Sequence, residues 1–217
     1  MPRVRPSSVG KPAPVVPGTP LGPDFFRRPA DRVARELLGA SLAVRRTDGG
    51  VSRLPLTEVE AYLGAHDLAC HGRTGPTRRN ATMFGPAGRW YVYLCYGIHW
   101  MLNIVTGEVG EPAAVLVRGA GELVGPGRVT RGLGIDRTTD GIPADPAAGL
   151  WIERPPEGAF AWPLPPRWYR RTPRIGVDYA GAWAAKPLRF VVGPRRLPTM
   201  VGSQVAPATA GPTPRSP

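Results

Sequence analysis

The chain has 217 residues, the span of one ordinary domain or at most two small ones, and enough to bury an apolar core without disulfide or metal staples. Its 28 Lys+Arg against 16 Asp+Glu give a net charge of +12, and a domain this basic points to a polyanionic partner. No apolar run nears the ~18 residues of a membrane helix, the N-terminal stretch lacks the apolar segment of a secretory signal, and two cysteines, Cys70 and Cys95, make no disulfide framework.

A cytoplasmic protein without membrane contact is therefore expected. Gly 28 and Pro 28 would suit a disordered chain, but 42% apolar residues with six Trp, six Tyr and five Phe would not. The prolines crowd the ends. Residues 1–20 and 198–217 read as disordered tails around a folded domain at 21–197, with structure starting near Pro23. The tails carry Arg3, Arg5, Lys11 and Arg215 and no acid, so +8 stays on the domain.

Asp31 reads as the cap of a helix with Val33, Ala34, Leu37 and Leu38 on one face and Gly39 as its stop. Ser41–Arg46 and Val51–Tyr62 read as strands joined by an Asp48-Gly49-Gly50 hairpin turn. Residues 64–88 are polar and rich in Arg and Gly, which is loop chemistry. Arg89–Tyr96 is aromatic and β-branched and predicts a strand, followed by strands at Trp100–Thr106 and Ala113–Arg118. A short helix is predicted at Arg128–Gly134, and short strands at Gly149–Arg154, Arg174–Val177 and Leu188–Val192. Residues 157–171, dense in Pro and Trp, fit no element. The pattern predicts an α+β domain around a mostly antiparallel sheet with short helices.

In a strand, Glu58 and Glu60 share a face, roughly 7 Å apart at ~3.4 Å per residue. They are either a solvent-facing acidic edge or a pair containing a general base with a raised pKa. The spacing also resembles the carboxyl separation of inverting glycosidases, so glycosidic-bond hydrolysis enters on chemical grounds. Arg118 ends a buried run and should have Glu58 or Glu60 as its partner. In the block at 90–97, Trp90, Val92 and Leu94 alternate with Tyr91, Tyr93 and Cys95. Gly97 permits a tight turn that leaves Tyr96 at a tip, where an aromatic ring could wedge between bases. His66, His71 and His99, with Asp67 and the cysteines, match no zinc spacing. Arg78, Arg79, Arg128, Arg131 and the arginines at 170–174 are candidate phosphate contacts.

The motifs TEVEAYLG, ACHGRTGPTRRNATMFGPAGRWYVYLCYGIHWMLNIV, VLVRGA, GPGRVTRGLGID and RIGVDYAGAWAAKPLRF stand in order between about Phe25 and Val192. Together they resemble the alkyladenine (3-methyladenine) DNA glycosylases of the mammalian type. The resemblance implies a curved antiparallel sheet in one domain and hydrolysis of the N-glycosidic bond of flipped-out alkylated purines, the first step of base excision repair. By motif position, Glu60 matches the base that activates water, Arg118 an arginine that holds it, and Ile175 a backbone contact to it. Tyr62, His71, Tyr93 and Asn103 match the base pocket, and Tyr96 with Ile98 the residues inserted into the duplex. Arg128, Thr130 and Arg131 match a segment near the DNA backbone. A monomer without metal or cofactor is implied, with double-stranded DNA carrying alkylated or deaminated purines as partner. The only lysines are Lys11 and Lys186, so an amine-based strand-cleaving mechanism is not expected.

Overall fold

The computed structural model describes residues 17–193. Its first strand, β1 (Thr19–Pro20), pairs antiparallel with residues 153–154. The folded part therefore begins inside the segment read as a tail. Gly18 is the reason: a Cβ there would lie 1.9 Å from the Arg154 carbonyl oxygen, so only glycine lets the chain approach so closely. The rest of the proposed tails, residues 1–16 and 198–217, lies outside the described residues.

Prolines open two short helices. Pro23 begins α1 (Pro23–Phe26), and Pro29 precedes α2 (Ala30–Leu37). Proline is tolerated there because its fixed φ suits the turn and its missing N–H would have no helical partner. Ala30, Val33, Ala34 and Leu37 are the buried stripe of α2, as the spacing predicts. Asp31 does not cap this helix. It lies in the first turn, where an acid suits the helix dipole, 3.3 Å from Arg35.

The sheet contains β2 (Ser41–Arg45), β3 (Val51–Leu63), β4 (Trp90–Cys95), β5 (His99–Thr106), β6 (Ala113–Ala120) and β7 (Leu123–Val124). After α3 (Pro126–Leu133) come β8 (Leu150–Arg154), β9 (Tyr169–Thr172) and β10 (Arg189–Val192). The strands run in the order β1-β8-β2-β3-β6-β5-β4, with β10 and β9 branching from β3 and β7 from β6. Every ladder described is antiparallel. This is the α+β domain expected from the sequence.

Two local findings differ from the strand pattern. The predicted strand 174–177 is irregular chain, and β9 lies just before it in the segment that fitted no element. Gly176, at φ 74°, is in a backbone region that a strand does not use. The second finding decides the site. Register shifts in the β3–β6 ladder fall between Leu56 and Glu58 and between Glu58 and Val59. Leu54 and Leu56 join the core before the bulge, and Val59 and Ala61 join it after, so the alternation slips by one residue. Without the slip, Glu58 and Glu60 would share the face of Leu54 and Leu56 and point into the core. Gly119 makes the slip possible, since a Cβ there would stand 2.6 Å from the Thr57 hydroxyl.

Candidate active site

One sheet face packs Trp90, Val92, Leu102, Ile104, Val115 and Val117 into the core with α2. The other, beyond the bulge, forms a cavity of about 960 Å³. Residues Tyr62, Leu116 and Arg118 from β3 and β6 line one side of it. Asn103, Tyr91 and Tyr93 come from β5 and β4, His71 and Ile175 from loops, and Tyr179 from the 3-10 helical segment Asp178–Trp183.

Glu60 is 0% exposed and lies directly behind the wall that its partners form. Its Oε1 accepts the Ile175 N–H at 2.9 Å, and its Oε2 accepts the Tyr62 hydroxyl at 3.0 Å. The Arg118 guanidinium reaches both oxygens at 3.4 Å. Glu58 holds Arg118 Nε more closely, at 2.8 Å, and also accepts Arg189 Nε at 2.7 Å. Both acids that could pair with Arg118 therefore do so, and the reading of a solvent-facing acidic edge is excluded.

The two carboxyls are driven apart in pKa. Burial pushes Glu60 up, and the opposing pull of Arg118, the Ile175 N–H and Tyr62 does not cancel it, while Glu58 adds to the rise. Burial would also raise Glu58, but Arg189 and Arg118 outweigh it and hold that carboxyl below its ordinary range. The two neighbouring acids are thus shifted in opposite directions, Glu58 down and Glu60 up, a separation of the kind that can divide acid–base roles.

Arg174, grouped by sequence with candidate phosphate contacts, is buried instead. It donates to Asp67 Oδ1 at 2.8 Å and to the Ala61 carbonyl at 2.9 Å, with its guanidinium 4.7 Å from the centre of the Tyr62 ring. Asp67 also accepts the Leu63 and Ala69 amides. This ion pair fastens residues 174–176 to the end of β3 and so fixes the Ile175 amide on Glu60. That amide is committed to the carboxylate.

Across the cavity, Tyr91 and Tyr93 stack with centroids 5.3 Å apart, and His71 meets Tyr93 edge-on at 4.4 Å. His71 Nδ1 and the Tyr91 hydroxyl are 3.2 Å apart. Burial, and then the charge of Arg79, lower the His71 pKa, so the ring is neutral at neutral pH. Burial raises all three tyrosines, so the phenols stay protonated. Asn103 donates to the Tyr91 and Met101 carbonyls at 3.1 and 3.2 Å, which fixes its amide at the cavity wall.

At the cavity rim, the β4–β5 hairpin turns through Tyr96 and Gly97, both at positive φ (51° and 70°), closed by Ile98 N–H to Cys95 carbonyl at 3.1 Å. Tyr96 is 90% exposed and Ile98 68%, and the tyrosine tip expected from Gly97 is present. Helix α3 lies beside β5 because Gly127 lets it close on His99, where a Cβ would be 2.9 Å from the ring. Arg128 and Arg131 are exposed on it. Thr130 is not available to a phosphate through its side chain. It is buried, and its hydroxyl donates to the Trp100 carbonyl at 3.0 Å. Tyr91, Tyr179 and the Arg174–Asp67 pair were missed by sequence reasoning, and Arg79, read there as a candidate phosphate contact, lines the cavity. Tyr91 alone carried a signal, since it alternates onto the same face as Tyr93.

The model of the methylpurine-DNA glycosylase family matches residues 24–124 and 121–196. The chain belongs to that family. It is similar to provisionally named 3-methyladenine DNA glycosylases: 46% identical over 182 residues to one from Myxococcus xanthus, covering 79% of this chain and 89% of that protein. A protein of the same name from an Anaeromyxobacter species is 45% identical over 181 residues (79% and 88% covered), and one from Methanocella arvoryzae 39% over 188 (77% and 89%). As a methylpurine-DNA glycosylase family member, the chain is a DNA glycosylase that acts on alkylated bases in DNA. Among the described residues no helix is long and apolar enough to cross a membrane.

Proposed function

We propose that the protein flips an alkylated purine out of duplex DNA into the cavity and hydrolyses its N-glycosidic bond with a water activated by Glu60. The observation that carries this reading is Glu60 itself, a fully buried carboxylate with a raised pKa behind a wall of Tyr62, Arg118 and Ile175. A base inside a duplex cannot reach such a group, so extrusion comes first, and it costs a few kcal/mol, least at damaged pairs. Tyr96, with Ile98, fills the gap left in the stack. Arg128 and Arg131 grip the backbone.

Alkylation at N3 or N7 makes the purine cationic. The faces of Tyr62 and Tyr93 attract such a cation by ~0.5–2 kcal/mol, and His71 and Asn103 read its edge. The sugar–base bond then breaks with its electron pair passing to the purine, which leaves neutral. The sugar gains oxocarbenium character, and a water held between Arg118 and the Ile175 carbonyl adds to it while Glu60 takes the proton. The products are the free base and an abasic site. Lys186 stands exposed with its Nζ 3.2 Å from the centre of the Trp183 ring, not at the cavity, which supports a water mechanism over a Schiff base.

The test uses duplex DNA carrying one 3-methyladenine or 7-methylguanine. Wild type should release the base and leave an unbroken abasic strand. Glu60→Gln should bind the lesion duplex as tightly while single-turnover release falls by about 10²–10⁴-fold, the usual span for a general base. Near-normal release by that variant would remove Glu60 from its role.

A further inference from the structure

The two rings offered to a flipped base differ in what stands behind them. Tyr62 is backed by Arg174, whose charge is cancelled by the buried Asp67. Tyr93 has the Arg79 guanidinium 6.0 Å from its centre, and no carboxylate lies within salt-bridge reach of Arg79 among the described residues. Arg79 also lines the cavity, where its solvent-exposed side chain is tethered by a 2.6 Å hydrogen bond to the Leu94 carbonyl. Its charge is felt within the pocket, since it opposes protonation of His71. Of the two other arginines that line the cavity, Arg118 is neutralised by Glu58 and Glu60, and Arg137 is exposed to solvent.

We propose that Arg79 is a specificity-determining residue that tilts the pocket toward neutral purine lesions and away from cationic ones. The inference rests on the function proposed above. The physics acts on both substrate classes. A cationic purine is repelled on entry, and it occupies the Tyr93 quadrupole in competition with Arg79. A neutral purine such as hypoxanthine or ethenoadenine meets no repulsion. As its bond breaks, the electron pair leaves negative charge on the ring, and a nearby fixed cation stabilises that charge. Arg79 thus widens the substrate range beyond bases that alkylation has already turned into good leaving groups.

The experiment compares 7-methylguanine, cationic, with hypoxanthine, neutral, each placed once in the same duplex. Single-turnover rate over half-saturating enzyme concentration is measured for wild type, Arg79→Met, Arg79→Gln and Arg79→Lys, with melting temperatures to confirm folding. The ratio of 7-methylguanine to hypoxanthine efficiency should rise about fivefold in the Met and Gln variants, the size expected for one charge facing another across a solvated pocket. Arg79→Lys, which keeps the charge, should stay near the wild-type ratio. An equal loss on both lesions would make Arg79 a phosphate contact and overturn the inference. So would a lysine variant that behaves like the methionine one. Failure of wild type to release either base is a different result, and it would count against the proposed function instead.

Discussion

The β3–β6 wall and the β4–β5 hairpin tip face the same cavity and are built in opposite ways. At the wall, Glu60 is sealed from solvent, Tyr62, Arg118 and the Ile175 amide all donate to it, and Arg174–Asp67 braces the segment that supplies that amide. At the tip, Tyr96 is almost wholly exposed in a left-handed conformation that a side chain rarely adopts. A proton-transfer group gains from a fixed, dry setting that shifts its pKa. A residue that enters DNA must stand clear of its own protein. Under the proposed function, the molecule keeps both by putting the base on an interior strand and the aromatic wedge on the three-residue turn at 96–98.

If the wall is a single bonded unit, removing its cation should do the most damage. Arg118→Met would leave Glu60 buried without its main counter-charge and Glu58 with only Arg189. We expect a loss of roughly 3 kcal/mol of stability, within the range for breaking a buried ion pair, read by denaturant unfolding. Because Arg118 opposes the rise in the Glu60 pKa, the acid limb of excision should also move to higher pH. Unchanged stability would show the wall to be less coupled than its hydrogen bonds imply.

The tip should behave differently. Tyr96→Ala should cut lesion release by about 10–100-fold, the worth of a few kcal/mol of unstacking left uncompensated, with stability within about 0.5 kcal/mol of wild type. A variant that unfolds early would make the tip part of the core after all. The smallest expected change is the stability of Glu60→Gln. The folded-state pKa of Glu60 lies above its ordinary value, so its contribution to stability is present at low pH and lost as pH rises through that folded pKa. At neutral pH the amide should therefore melt no lower than wild type, in contrast to Arg118→Met.

Much of this was legible in the sequence. The alternation at 90–95, the Gly97 turn and the i, i+3, i+4, i+7 stripe of α2 are local patterns, and they sit where the spacing put them. Glu60, Tyr62 and Arg118 were found by motif resemblance and by the need of a buried arginine for an acid. What stayed hidden depends on distant contacts. The bulge at Glu58 rests on Gly119 of the neighbouring strand, and no local period shows it. The burial of Arg174 depends on Asp67, more than a hundred residues earlier, so an arginine run read alone looks like surface. The buried Thr130 hydroxyl likewise follows from α3 packing on β5, not from its own segment.

The measurement that tests the central claim most directly is the pH dependence of single-turnover 7-methylguanine release by wild type and Glu60→Gln. This lesion is already cationic and needs no protonation to leave. With Glu60 as base, wild-type release should rise with pH through an acid limb above the ordinary carboxylate range and then level off, while Glu60→Gln should be slow and flat across the same interval. An acid limb that survives in Glu60→Gln would assign the proton transfer to another group and contradict the account.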